Sequence, residues 1–184
     1  MVVVLLLLPS FRRGAGTFVA PRRNTVHHSL RSFCEELELR GIRSQTKVID
    51  VSLIDNPRSG EATWTDVSEP SFRIERIRYQ KNTPLSWEVS FVKQKFAPGL
   101  DKRNLSGSLY KLLSESYGHT IESADEEISS LLIGKEISEK LAVSVGTPAL
   151  EIQRRTFNKR GDCLEVARAI RPSGYELLKY SVRR

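Results

Sequence analysis

The clearest periodicity lies in the middle of the chain. From Pro84 to Val92 apolar and polar residues alternate, with Leu85, Trp87, Val89 and Phe91 on one side and Ser86, Glu88 and Ser90 on the other. A period of two marks a β-strand. Phe72 to Tyr79 supplies a second strand, and a turn over Gln80 to Thr83 joins the two into a hairpin. Lys47 to Ile54 alternates in the same way, and His119 to Ile133 reads mostly as a strand. A second hairpin is expected near the C-terminal end, Ala149 to Phe157 and Cys163 to Ile170 around a turn at Asn158 to Gly161. Three segments read as helices. Leu30, Phe33, Cys34 and Leu37 form one apolar face of a helix that starts at Ser29 and stops at Gly41. Ser106 to Tyr117 turns Leu109, Leu112 and Leu113 inward and is closed by Gly118, and Lys135 to Ala142 is a short helix. Residues 10–20 read as a turn at Gly14 and Gly16 followed by a strand over Thr17, Phe18 and Val19, and Pro21 to His28 is a polar linker. Residues 55–70 are rich in turn signals. Strands joined by tight turns, with a few helices between them, predict an α+β fold: a mostly antiparallel sheet with flanking helices.

Composition narrows the class. With 184 residues, 39% hydrophobic and 28% charged, the chain is long enough for one ordinary domain and excludes collagen, coiled coil and bulk disorder. The longest apolar run, Met1 to Leu8, is far below the roughly 20 residues of a membrane-spanning helix. No basic residue precedes that run, so it does not match a secretory signal. No membrane association is expected. Cys34 and Cys163 stand far apart without a CxxC pair, which fits a reducing cytoplasm rather than a disulfide or zinc scaffold. The net charge of +7 is uneven: residues 1–31 carry five arginines and no acid, and the rest is close to neutral. Such an arm is either an electrostatic contact for nucleic acid or a solvated tail.

Enzyme motifs are scarce. The sequence lacks GxGxxG, a phosphate loop, a GxSxG elbow and HExxH, and no cofactor is expected. His27, His28 and His119 read as structural or solvated rather than as metal ligands, and no metal site is expected. Cys34 reads as a small buried hydrophobe. The informative cluster is Arg76 and Arg78, two apart on one strand and so on one side of the sheet, with Glu88 across the hairpin. Ser106, Gly107 and Ser108 open the next helix, whose N-terminus favours an anion. Two guanidiniums near such a terminus make a phosphate or carboxylate pocket, and Glu88 then accepts from a hydroxyl or amine of the ligand. On spacing alone, a surface ion-pair network of Arg76, Arg78 and Glu88 is the favoured reading.

The ordered set Arg76-Ile-Arg78, Pro84, Glu88, Phe96-Ala-Pro-Gly99, Gly107-Ser-Leu-Tyr110-Lys-Leu-Leu113 and Tyr117-Gly118 resembles the UTRA domain, the effector-binding domain of HutC-type GntR transcription regulators. Leu141-Ala-Val143, Gly146-Thr-Pro148-Ala-Leu150, Arg154 or Arg155, Gly161 and Glu165 continue the pattern. The resemblance implies a chorismate-lyase-like fold, a homodimer, and a ligand-sensing domain that binds a small anionic effector such as a phosphorylated sugar, phosphonate or carboxylate. By position it implies Arg76, Arg78, Glu88, Ser108 and Glu165 as effector contacts, and Phe33 as an aromatic that closes the pocket. The family's tyrosine after the last strand is replaced by Arg171 or shifted to Tyr175. Arg12, Arg13, Gly14, Gly16 and Thr17 resemble the DNA-contacting wing of the winged helix-turn-helix. The helices that precede the wing in the family, including the recognition helix, have no counterpart in the sequence, through a misplaced start or a truncation. On this reading 1–20 is a wing remnant, 21–28 a linker, 29–178 the effector-binding domain and 179–184 a tail. Operator DNA is a partner of the full-length regulator and is bound weakly or not at all here. Two rivals stand beside this reading: a chorismate-lyase-type enzyme, and a dimerising remnant that sequesters a full-length regulator.

Overall fold

The computed structural model describes residues 9–11, 17–19, 43–57 and 67–173. The chain divides into two compact units, one of Met1–Ser29 with Leu177–Arg184 and one of Leu30–Glu176. In the first unit β1 (Pro9–Phe11) pairs antiparallel with β2 (Thr17–Val19), Ser10 opposite Phe18. The strand expected at Thr17 to Val19 is therefore present. The expected helix from Ser29 to Gly41, with Phe33 and Cys34, lies outside the described residues, as do Arg12, Arg13, Gly14 and Gly16.

The second unit contains a six-stranded antiparallel sheet. Its strands are β3 (Ser44–Ile54), β4 (Ser71–Gln80), β5 (Thr83–Lys93), β6 (Ser123–Leu132), β7 (Pro148–Phe157) and β8 (Cys163–Pro172), in the spatial order β3-β4-β5-β8-β7-β6. Two helices, α1 (Leu109–Tyr117) and α2 (Lys135–Leu141), pack on it. The α+β class expected from the sequence is the one observed. The predicted hairpin joins β4 to β5 through Lys81 and Asn82, with Lys81 in the left-handed region at φ 54°. Pro84 lacks an N–H for the ladder, and the register slips by one residue between Arg78 and Tyr79, opposite it.

The inner strands are buried on both faces, so the polar side of β5 is not a solvent side: Ser86 and Ser90 are buried along with Trp87 and Phe91. One face carries a core of Ile77, Trp87, Val89, Phe91 and Ile170, closed by Leu141 of α2. The other carries Phe72, Ile74 and Val92, closed by Leu109 and Leu113 of α1 and by Leu100. Two element starts differ from expectation. The middle helix begins at Leu109 rather than Ser106, because Ser108, not Ser106, is the N-cap and accepts from the Lys111 N–H at 3.2 Å. The strand expected from His119 begins at Ser123, whose partner Phe157 is the last residue of β7, so residues upstream have no ladder to join. Gly118 takes the left-handed conformation at φ 72°, and its N–H reaches the Leu113 and Ser114 carbonyls to end α1.

Candidate functional site

Alternation along β4 sends Phe72, Ile74, Arg76 and Arg78 to the face covered by α1. The first two residues build core there; the next two put charge beside it. Across the hairpin Arg76 stands opposite Glu88, and Glu88 stands opposite Ala169 of β8, which in turn faces Ile152 of β7. The small alanines Ala167 and Ala169 leave room above the sheet. The space is a cavity lined by Arg76, Arg78, Glu88, Arg154, Glu165 and Arg171, with Leu109 and Tyr110 of α1 as its roof. Its free volume is about 40 Å³, room for about three waters at roughly 10–15 Å³ each.

The charged residues are inside the protein. Arg76 is 1% exposed, Arg78 2%, Glu165 2% and Arg171 8%. The surface ion-pair network considered above is therefore a buried one. Glu88 receives Nη2 of Arg76 and, at 3.3 Å, Nε of Arg78. Arg78 also donates through Nη1 to Thr46 Oγ1 of β3 at 2.5 Å. Arg76 has no such second anchor: its Nε and Nη1 are buried without a hydrogen-bond partner. Burial alone would push the Glu88 carboxyl up, but Arg76 and Arg78 outweigh it and hold it well below the usual carboxylate range. Glu165 behaves oppositely. Burial, then the negative charge of Glu88, raises its pKa above the ordinary value, and its Oε2 has no partner.

At the far side of the cavity Arg154 pairs with Glu126 of β6 and donates to the Tyr110 hydroxyl at 3.3 Å. Burial opposes the Arg154 charge, yet Tyr110 and Glu126 hold its pKa above the usual value. Burial also pushes the Tyr110 hydroxyl up, so it stays a neutral donor.

Of the residues singled out from the sequence, Arg76, Arg78, Glu88 and Glu165 converge on this one cavity. Ser108 does not line it; its hydroxyl caps α1, one residue before Leu109, which does. The helix N-terminus is thus partly satisfied by its own side chain. Phe33 lies outside the described residues, and of the wing positions only Thr17 is described, as backbone in β2. Tyr110, Arg154 and Arg171 also line the cavity, although none is among the site residues expected from the sequence. Tyr110 and Arg154 were inside the motifs already quoted, and Arg171 marked a departure from the pattern. His119 packs edge-on against Phe96, with ring centroids 5.3 Å apart. No cluster of three or more metal-ligating side chains exists among the described residues. No described helix is long and apolar enough to cross a membrane.

The family model of the UTRA domain matches residues 39–173. The chain is 27% identical over 175 residues to the HTH-type transcriptional repressor NagR of Bacillus subtilis, covering 93% of this chain and 72% of that protein. It is 26% identical over 159 residues to the mannosyl-D-glycerate transport/metabolism system repressor MngR of Escherichia coli, covering 85% of this chain and 66% of that protein. The chain thus spans about two thirds of the latter's length. Among solved structures, the effector domain of PhnF from Mycobacterium smegmatis superposes with a TM-score of 0.75 at 16% identity, covering 88% of this chain and 99% of that one. The C-terminal domain of the histidine utilization repressor from Pseudomonas syringae pv. tomato gives a TM-score of 0.66 at 21% identity over 77% of this chain and all of that one. These likenesses place the sheet and helices in the chorismate-lyase-like architecture of GntR effector domains.

Proposed function

Given that the chain belongs to the UTRA domain family of GntR transcription regulators, we propose that its buried arginine cavity is an effector site for a small anionic metabolite, and that the chain senses rather than catalyses. One observation carries the reading. Arg76 is 1% exposed and presents two guanidinium N–H groups without partners in a cavity. Buried guanidinium donors of this kind require acceptors, and an anionic ligand group in the cavity supplies them. Arg76 and Arg78, fixed by Glu88, grip the anionic group, while Ser108 acts only through the helix it caps. Glu165 and Tyr110 meet the polar remainder. The family resemblance gives Phe33 the role of closing the pocket.

The ligand acts by binding two states of a homodimer unequally, typically about 1–3 kcal/mol of coupling, and so repositions a DNA-binding region. Arg12, Arg13, Gly14, Gly16 and Thr17 serve as wing contacts to phosphate in that region. On this reading the protein acts in the cytoplasm, with operator DNA as the partner of the whole regulator. The name of the E. coli relative, a mannosyl-D-glycerate system repressor, supports an anionic, hydroxyl-bearing class of effector. The test is a thermal-shift screen of phosphorylated sugars, phosphonates and small carboxylates, followed by calorimetry. A hit whose binding is lost in Arg76→Met is expected. A hit that binds Arg76→Met as tightly as wild type would refute the assignment.

A further inference from the structure

Two carboxyls share the cavity, and their surroundings differ. Glu88 accepts from Arg76 and Arg78, whereas Glu165, 2% exposed, keeps its Oε2 buried without a hydrogen-bond partner. We infer that Glu165 enters the cavity as a neutral carboxyl whose O–H donates to an acceptor oxygen of the ligand, and that anion affinity falls as this proton is lost. The inference rests on the effector reading above and deepens it. The effector presents an acceptor oxygen rather than an ammonium group to Glu165, and its binding is linked to pH.

A buried carboxylate needs donors against both oxygens, and a neutral carboxyl needs fewer. Thr156 stands directly opposite Glu165 on β7 and supplies no donor to it, since the Thr156 hydroxyl is itself buried without a partner. Glu165 also shares the cavity with Glu88, whose negative charge two guanidiniums already fix. A second negative charge beside it is disfavoured. Burial and then Glu88 raise the Glu165 pKa; a hydrogen bond from Ser90 and the charges of Arg76 and Arg154 oppose the shift without cancelling it. A carboxyl kept neutral by its site is a hydrogen-bond donor. The groups around it do not titrate with it. Among the described residues, β4 brings Arg76 and Arg78, β5 Glu88, β7 Arg154 with its ion-pair partner Glu126 of β6, β8 Arg171, and α1 Tyr110. The arginines stay cationic. Glu88 is held well below the usual carboxylate range, and burial holds Tyr110 well above the usual tyrosine value. A change of charge in the cavity above 4.5 therefore reports Glu165, whose ordinary value that is.

The test uses the full chain, labelled with ¹³C at the glutamate Cδ, and sulfate as the anion, because sulfate keeps its own charge throughout. The Glu165 Cδ signal, assigned by Glu165→Gln, is expected to titrate above the ordinary 4.5. A midpoint at or below that value overturns the inference. Calorimetric titrations with sulfate at constant ionic strength follow on both sides of the observed midpoint. Wild type is expected to bind sulfate at least about 10-fold more tightly below the midpoint than above it, since a like charge a few ångströms away inside a protein is worth at least that. Glu165→Gln, neutral and still a donor, is expected to keep the tighter affinity at every pH. Glu165→Met, neutral without a donor, is expected to be indifferent to pH and weaker by roughly 3- to 10-fold. A wild-type affinity that does not change across the midpoint, or equal affinities in Glu165→Gln and Glu165→Met, overturns the inference. Arg76→Met separates the two levels. If sulfate does not bind wild type, or binds Arg76→Met as tightly, the effector reading itself falls; if binding needs Arg76 but ignores the state of Glu165, only the proton assignment falls.

Discussion

Replacing Glu88 by glutamine removes one negative charge from between two buried guanidiniums while keeping the side chain's shape. Arg76 and Arg78 are 1% and 2% exposed and both use this carboxylate. At an effective dielectric constant of about 20, a contact near 4 Å is worth about 4 kcal/mol, so two partners represent roughly 8 kcal/mol of gross attraction. Much of that is offset by desolvation, but removing one partner of a buried pair leaves the other charge uncompensated and costs about 3–5 kcal/mol net. Against a total stability of about 5–15 kcal/mol this is a large fraction. It corresponds to a fall in Tm of roughly 6–20 °C for a chain of this size. The assay is urea unfolding at neutral pH, with and without sulfate at constant ionic strength. Sulfate should restore more stability to Glu88→Gln than to wild type, because an oxyanion then takes the place of the lost carboxylate. A loss below about 1 kcal/mol, the range of exposed pairs, with no extra sulfate dependence, would refute the buried-network account.

Two further substitutions test neighbouring parts of the structure. Glu165 has a folded-state pKa raised by burial and by Glu88, so ionising it costs stability that is intact below its ordinary value near 4.5 and is lost as pH rises through the raised one. Glu165→Gln should therefore be more stable than wild type at neutral pH, with the difference vanishing in acid; denaturation midpoints across pH measure it, and a destabilised variant at neutral pH would contradict it. On the opposite face, Glu75 accepts from Trp87 Nε1 at 2.8 Å and Lys140 Nζ at 2.6 Å, tying α2 to the sheet. Glu75→Gln should cost about 1–3 kcal/mol and speed hydrogen exchange in α2. Unaltered exchange there would show that apolar packing alone holds the helix.

The sheet was largely legible because its signals are local. The alternation of Leu85, Trp87, Val89 and Phe91 defines β5, and the short turn fixes Arg76 opposite Glu88 without knowledge of any other strand. The start of α1 was misread because Ser106, Gly107 and Ser108 all suit an N-cap, and only the Ser108–Lys111 hydrogen bond selects one. The early start assigned to β6 failed because pairing needs a partner, and β7 ends at Phe157. The site was half legible for the same reason. Arg76, Arg78 and Glu88 come from one hairpin. Arg154 and Arg171 arrive from β7 and β8 through the β5-β8-β7 strand order, which periodicity does not encode, and Tyr110 arrives on α1, packed over the sheet.

The central claim concerns the guanidinium of Arg76, and it can be watched directly. In a chain labelled with ¹⁵N at arginine and assigned by Arg76→Lys, Arg78→Lys and Arg171→Lys variants, methyl phosphate is titrated while the side-chain Nε–H signals are followed. The account predicts that the Arg76 Nε–H, buried without a protein hydrogen-bond partner, shifts saturably as the anion enters. Saturable binding that leaves the Arg76 signal unmoved while other arginines respond would contradict it.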